Sequence, residues 1–140
     1  MHIECTENVA LTGDRIAQAL ADLDALGAQI SLDDFGIGYS NIACLQRLPI
    51  SLIKPDQSLV RPVRQDFKAW TLAQSLITFG HSLGYRVLAE GVEDEETFNL
   101  LIDAGCDAIQ GYFLSRPMEA DAVLPFMRVN RVARARSTKY

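Results

Sequence analysis

Three cysteines in 140 residues, Cys5, Cys44 and Cys106, are odd in number and far apart, and they form no Cys-x-x-Cys or Cys/His cluster. That pattern excludes a disulfide framework and gives no support to a structural zinc site, so buried free thiols in a reducing compartment are expected. Long hydrophobic runs are missing too. Nothing approaches the ~20 apolar residues of a membrane span, and the opening Met-His-Ile-Glu lacks the basic-then-apolar order of a signal peptide. The chain is therefore expected in the cytoplasm, away from membranes. Basic charge is scarce over most of its length: the net charge is −5, all 18 acids lie within residues 1–127, and five of the 13 bases are Arg128, Arg131, Arg134, Arg136 and Lys139. An acidic body does not attract a nucleic acid duplex without help from cations.

What remains is the composition of one globular domain, 49% hydrophobic and 22% charged. It is expected to occupy residues 1–127, followed by a solvated, disordered basic tail over 128–140. Short β-like runs alternate with longer amphipathic stretches, the order required by a parallel sheet with helical crossovers. Strands are expected at His2–Cys5, Gln29–Asp33, Leu52–Asp56, Arg86–Glu90 and Ala108–Phe113. Helices are expected over Thr12–Leu26 with Thr12 as N-cap, over Tyr39–Leu48, over Asp66–Leu83, from Asp94 to Gly105, and over Ala120–Val129 despite Pro125. In the third, Leu72, Leu76, Phe79 and Leu83 are spaced as a buried stripe with Ala73 and Ile77 beside it.

The carboxylates fall in a pattern that raises this chain above a generic βα protein. Glu4, Asp33 with Asp34, Asp56 and Glu90 each stand at or just after the C-terminal end of an expected strand, which in a βα barrel is the active-site rim. Any one of them alone reads as a cap or a loop charge. Several at the same end converge in space, and hard oxygen donors suit Mg²⁺ or Mn²⁺. Lys54 lies inside an apolar run, two residues from Asp56 and on the same face of its strand, and is expected to enter the acid cluster. Gly36 and Gly38 permit positive φ in the loop after Asp34. His81 is expected to pack, and His2 to lie at a frayed end.

At these residues a resemblance emerges. The ordered motifs Glu4-Cys5-Thr6-Glu7, Asp33-Asp34-Phe35-Gly36-Ile37-Gly38-Tyr39-Ser40, Lys54-Pro55-Asp56, Ala89-Glu90-Gly91-Val92-Glu93 and Gln110-Gly111-Tyr112 with Ser115-Arg116-Pro117 resemble the EAL domain family over roughly residues 2–117. The resemblance implies an α/β fold, part of a (βα)₈ TIM-like barrel, and hydrolysis of cyclic di-GMP to pGpG with two divalent cations, Mg²⁺ or Mn²⁺. By similarity Glu4, Asp33 and Asp34 hold metal, Lys54 engages the attacking water, Glu90 supports the metal-water network, and Gln110 acts from the last strand. Glu7 and Glu93 brace the loop after the Asp-Asp pair.

The sequence also departs from the family pattern. It contains no Glu-Ala-Leu motif and begins just before Glu-x-Thr-Glu, so two ligands of the first metal are expected to be missing and activity to be weak or absent. A non-catalytic nucleotide-sensing or protein-interaction module is the alternative. Five strands cannot close the barrel, and a homo-oligomer or a missing N-terminal segment is expected to cover two open edges and an apolar interior. Pro55, placed in a central strand, is expected to cost a ladder hydrogen bond and to displace Lys54. Ile37 stands where the family usually has a small residue.

Overall fold

The computed structural model describes residues 1–7, 13–37 and 45–129. The expected helix over 39–48 as far as residue 44, the Thr12 cap, Cys44, and the tail beyond Val129 lie outside the described residues. Among those described, five parallel strands form one sheet in the order β1 (His2–Thr6), β2 (Gln29–Phe35), β3 (Leu52–Pro55), β4 (Arg86–Ala89) and β5 (Ala108–Ile109). Between and after them run α1 (Asp14–Ala25), the single turn α2 (Gln57–Val60), a 3₁₀ segment (Arg61–Arg64), α3 (Phe67–Ser82), α4 (Glu95–Asp103) and α5 (Ala120–Val129).

Strand alternation divides the sheet into two chemically different faces. Ile30, Leu32, Ile53, Val87 and Ala89 are buried beneath the helices and join Leu20, Val60, Ile77 and Leu101 in one core. The other face carries His2, Glu4, Ser31, Asp33 and Lys54 together with Leu52, Leu88 and Ala108, so the interior expected to be apolar is mixed, polar toward β1 and β2 and more apolar toward β4 and β5.

In α3 the residues that sink deepest are Ala73, Ile77 and Gly80, while Leu72 is 46% exposed. The stripe is rotated from the one that the leucines mark, and Gly80 explains why. A Cβ there would stand 2.8 Å from Ile53 and 2.9 Å from Val87, so the missing side chain lets the helix lie close against β3 and β4. Asp66 and Asp94 start α3 and α4 by accepting from the amides of Lys68 and Thr97.

β5 is much shorter than the expected Ala108–Phe113. After Ile109 the chain leaves the ladder and docks on the loop that follows β4: the Val92 N–H donates to the Gln110 carbonyl at 3.2 Å, and the Phe113 N–H to the Val92 carbonyl at 3.1 Å. Gly111 lies against the Val92 backbone so closely that a Cβ would overlap the Val92 carbonyl and amide.

Candidate active site

The rim is built where β1, β2, β3 and β4 end side by side. Lys54 is the last residue of β3 to point away from the helices, and Glu4 and Asp33 point the same way from β1 and β2. The Lys54 ammonium donates to Glu90 Oε1 at 2.8 Å and to Glu4 Oε1 at 2.9 Å, with Asp33 Oδ2 at 3.7 Å. Its side chain is only 7% exposed, although the carboxylates around it remain open to water. Burial is the largest single influence on Lys54 and opposes its charge. The hydrogen bonds to Glu90 and Glu4, with the charges of Glu90 and Asp33, outweigh burial and raise its pKa above the usual lysine value. Glu4 shifts the other way, its pKa lowered chiefly by the hydrogen bond from Lys54 against a smaller opposing effect of burial.

Pro55 does not displace Lys54. The pairing of β2 with β3 slips between Leu32 and Phe35, where β2 carries one extra residue, and Pro55 sits opposite that irregularity. Regular pairing is already interrupted there, so proline's missing N–H is tolerated, and the next amide, Asp56 N–H, donates to the Phe35 carbonyl at 3.1 Å.

The same bulge shapes the aspartate pair. Asp34 adopts φ 55°, in the left-handed region that Asp tolerates better than most residues. Its amide donates to Asp33 Oδ1 at 3.0 Å. The extra residue returns Phe35 to the helix side, where its ring stacks on Phe79 with centroids 6.1 Å apart. The Asp34 side chain is exposed.

Glu7 is 2% exposed and accepts from the Gly36 N–H at 3.0 Å, tying the turn after the aspartates to the end of β1. Glu93 lies 3.5 Å from Arg61. Asp56 does not join the cluster: it caps α2 by accepting from the Ser58 amide at 2.8 Å, and this bond with its neighbours lowers its pKa. Ile37 is 60% exposed. Gln110 shares a cleft of about 230 Å³ with Gln57, Arg61, Glu90, Glu93 and Tyr112.

Three features were not foreseen from the sequence. His2 lies within β1 and its Nε2 is 3.0 Å from Ser31 Oγ. Arg61 reaches the cleft from the 3₁₀ segment; it follows Asp56, whose capping chemistry was the available signal. His81 pairs with Asp107 at 2.8 Å, and that carboxylate also accepts from the Val87 amide. Cys5 and Cys106 are free thiols with pKa values raised first of all by burial, which disfavours the reactive thiolate.

A parallel βα sheet with an acid and lysine cluster toward the C-terminal ends of its strands is the layout of the functional end of βα-barrel domains. The EAL domain profile matches residues 1–117, and the chain belongs to the EAL domain family. It is 40% identical to the cyclic di-GMP phosphodiesterase PA2567 of Pseudomonas aeruginosa over 91% of this chain and 22% of that protein. It is 37% identical to the bifunctional diguanylate cyclase/cyclic di-GMP phosphodiesterase MucR of the same species over 87% of this chain and 18% of that protein. The solved MucR phosphodiesterase in complex with cyclic di-GMP superposes with a TM-score of 0.83 at 36% identity, covering 87% of this chain and 50% of that one. The chain thus spans about a fifth of the length of these two curated relatives, and its five strands are part of the TIM-barrel fold of EAL domains. The family depends on divalent metal, and no described helix is long and apolar enough to cross a membrane.

Proposed function

We propose that the rim is a metal-dependent site for cyclic di-GMP. In a complete domain it cleaves the substrate to pGpG; these 140 residues bind the nucleotide and cleave it slowly at most. The observation that carries this reading is the Lys54 ammonium held between carboxylates from β1, β2 and the end of β4. Lys54 stays protonated at neutral pH, so it acts as a fixed donor toward a water or phosphate oxygen and not as a base. Glu90 and Glu4 hold it in place by accepting its hydrogen bonds. Gln110 adds an amide beside Glu90 in the cleft.

The donor set fits Mg²⁺ or Mn²⁺. Glu4, Asp33, Asp34 and Glu90 oppose one buried ammonium, and this excess negative charge would repel an anionic nucleotide until cations offset it. Among the described residues no group of three or more acids, histidines or cysteines forms a ready metal cage. Such ions accept one or two carboxylates, with water and substrate phosphates completing the shell. Glu4, Asp33 and Asp34 would hold them, and the metal would supply Lewis acidity toward the phosphodiester and the attacking water. Glu7 positions the aspartate turn through Gly36.

A second reading, a nucleotide-sensing module without turnover, is supported by the open sheet. β1 and β5 are both edges, and either further strands or a second copy of the chain would complete the wall. Incubation with cyclic di-GMP and Mn²⁺, with product separated by chromatography, decides between the two. Linear pGpG that forms slowly and disappears in Asp33→Asn supports hydrolysis. Metal-dependent binding without product supports sensing, and neither binding nor cleavage excludes both.

A further inference from the structure

We propose that Arg61 reads the guanine base of the bound nucleotide and so sets base specificity; this inference rests on the rim being a cyclic di-GMP site. Arg61 is the one cationic side chain among the residues lining the cleft beside Glu90. It begins the 3₁₀ segment directly after α2, the turn that Asp56 caps, and reaches the cleft from there. Its contact with Glu93 is long, 3.5 Å, and both side chains are more than half exposed. Such a pair is weak. A guanidinium has five N–H donors, and one long contact leaves most of them available.

The chemistry of the cleft favours a base over a phosphate. Glu90 and Glu93 stand in the same wall and repel an anion, whereas guanine is neutral and offers complementary edges. Its O6 and N7 are adjacent acceptors that match the guanidinium fork; adenine presents a donor beside its N7, and the fork then meets a mismatch. Guanine also carries N1–H and N2–H₂ donors that a neighbouring carboxylate such as Glu93 can accept. Tyr112 supplies an aromatic wall, steadied by Arg116, which lies 4.8 Å from its ring centroid and holds it as a surface for base stacking.

Calorimetric titration of the full chain with GMP and with AMP tests the inference on wild type, Arg61→Gln and Arg61→Lys. Wild type is expected to bind GMP about tenfold more tightly than AMP. Arg61→Gln should lose most of that preference, and Arg61→Lys should lose it too, because lysine keeps the charge without the planar fork. No GMP preference in wild type, a preference that survives Arg61→Gln, or equal weakening of GMP and AMP would each overturn base reading, the last by assigning Arg61 to phosphate. Cyclic di-GMP titrated in parallel separates the two readings. If the Arg61-dependent GMP preference is present but cyclic di-GMP does not bind, the phosphodiesterase reading alone fails. If cyclic di-GMP binds while the guanine preference ignores Arg61, the Arg61 inference alone fails.

Discussion

Lys54→Met is expected to lower the melting temperature by on the order of 5–10 °C and to remove metal-dependent handling of cyclic di-GMP. Removing one partner from a buried ionic cluster costs about 3–5 kcal/mol when the remaining charges stay buried. Here Glu4, Asp33 and Glu90 keep 51%, 30% and 21% of their side-chain surface exposed and can rehydrate, so about 1–3 kcal/mol is the expected loss. Methionine fills the space of the lysine stem, so a fall of this kind reports lost charge and not a cavity.

The pH dependence distinguishes this account from a packing defect. Lys54 has a raised pKa, so its contribution is complete below the unfolded lysine value and is lost only as pH rises through the folded one. Glu4 has a lowered pKa, so its contribution is complete above the unfolded glutamate value and fades as pH falls through the folded one. Between about pH 5 and pH 10 the cluster is fully formed. Thermal melts across pH should show the wild-type advantage over Lys54→Met constant in that window and shrinking below about pH 4. An advantage independent of pH would assign Lys54 to packing alone.

Gly111→Ala carries the second large effect. The added methyl would overlap the Val92 carbonyl and amide, which are backbone and cannot rotate away as a side chain would. Relief requires separating the two loops that the Val92–Gln110 and Phe113–Val92 hydrogen bonds join. Overpacking together with two lost hydrogen bonds is expected to cost about 2–4 kcal/mol. Amide exchange is the sharper readout: Val92 and Phe113 should lose protection while Leu32 and Ile53 in the central strands keep it. Unchanged protection at Val92 would contradict the close approach. Gly27 and Gly84 serve as contrasts, because a Cβ at either meets nothing within 4 Å and substitution costs only the strain of positive φ.

Much of this architecture was legible in the chain because it depends on local alternation. The parallel βα order, the strand-end positions of Glu4, Asp33 and Glu90, and the entry of Lys54 into the acids all follow from which residues share a face of a strand. Relations between elements were not legible. The bulge that re-aims Asp34 and accommodates Pro55 is a difference in residue count between two strands, and neither strand shows it alone. Leucine spacing suggested the wrong centre for the α3 stripe because closeness to the sheet is set by Gly80, a residue with no hydrophobic signal. Asp56 looked like another rim acid until the chain turned into α2 directly after it. Arg61, which pairs with Glu93 across 3.5 Å, stands in no motif that would have singled it out.

The most direct test of the rim as a metal-dependent nucleotide site is calorimetric binding of cyclic di-GMP to the purified chain with and without Mn²⁺, repeated on Asp33→Asn. Binding is expected to appear with metal and to be lost in the variant. Binding that is equal with and without metal, or that survives Asp33→Asn unchanged, would contradict it.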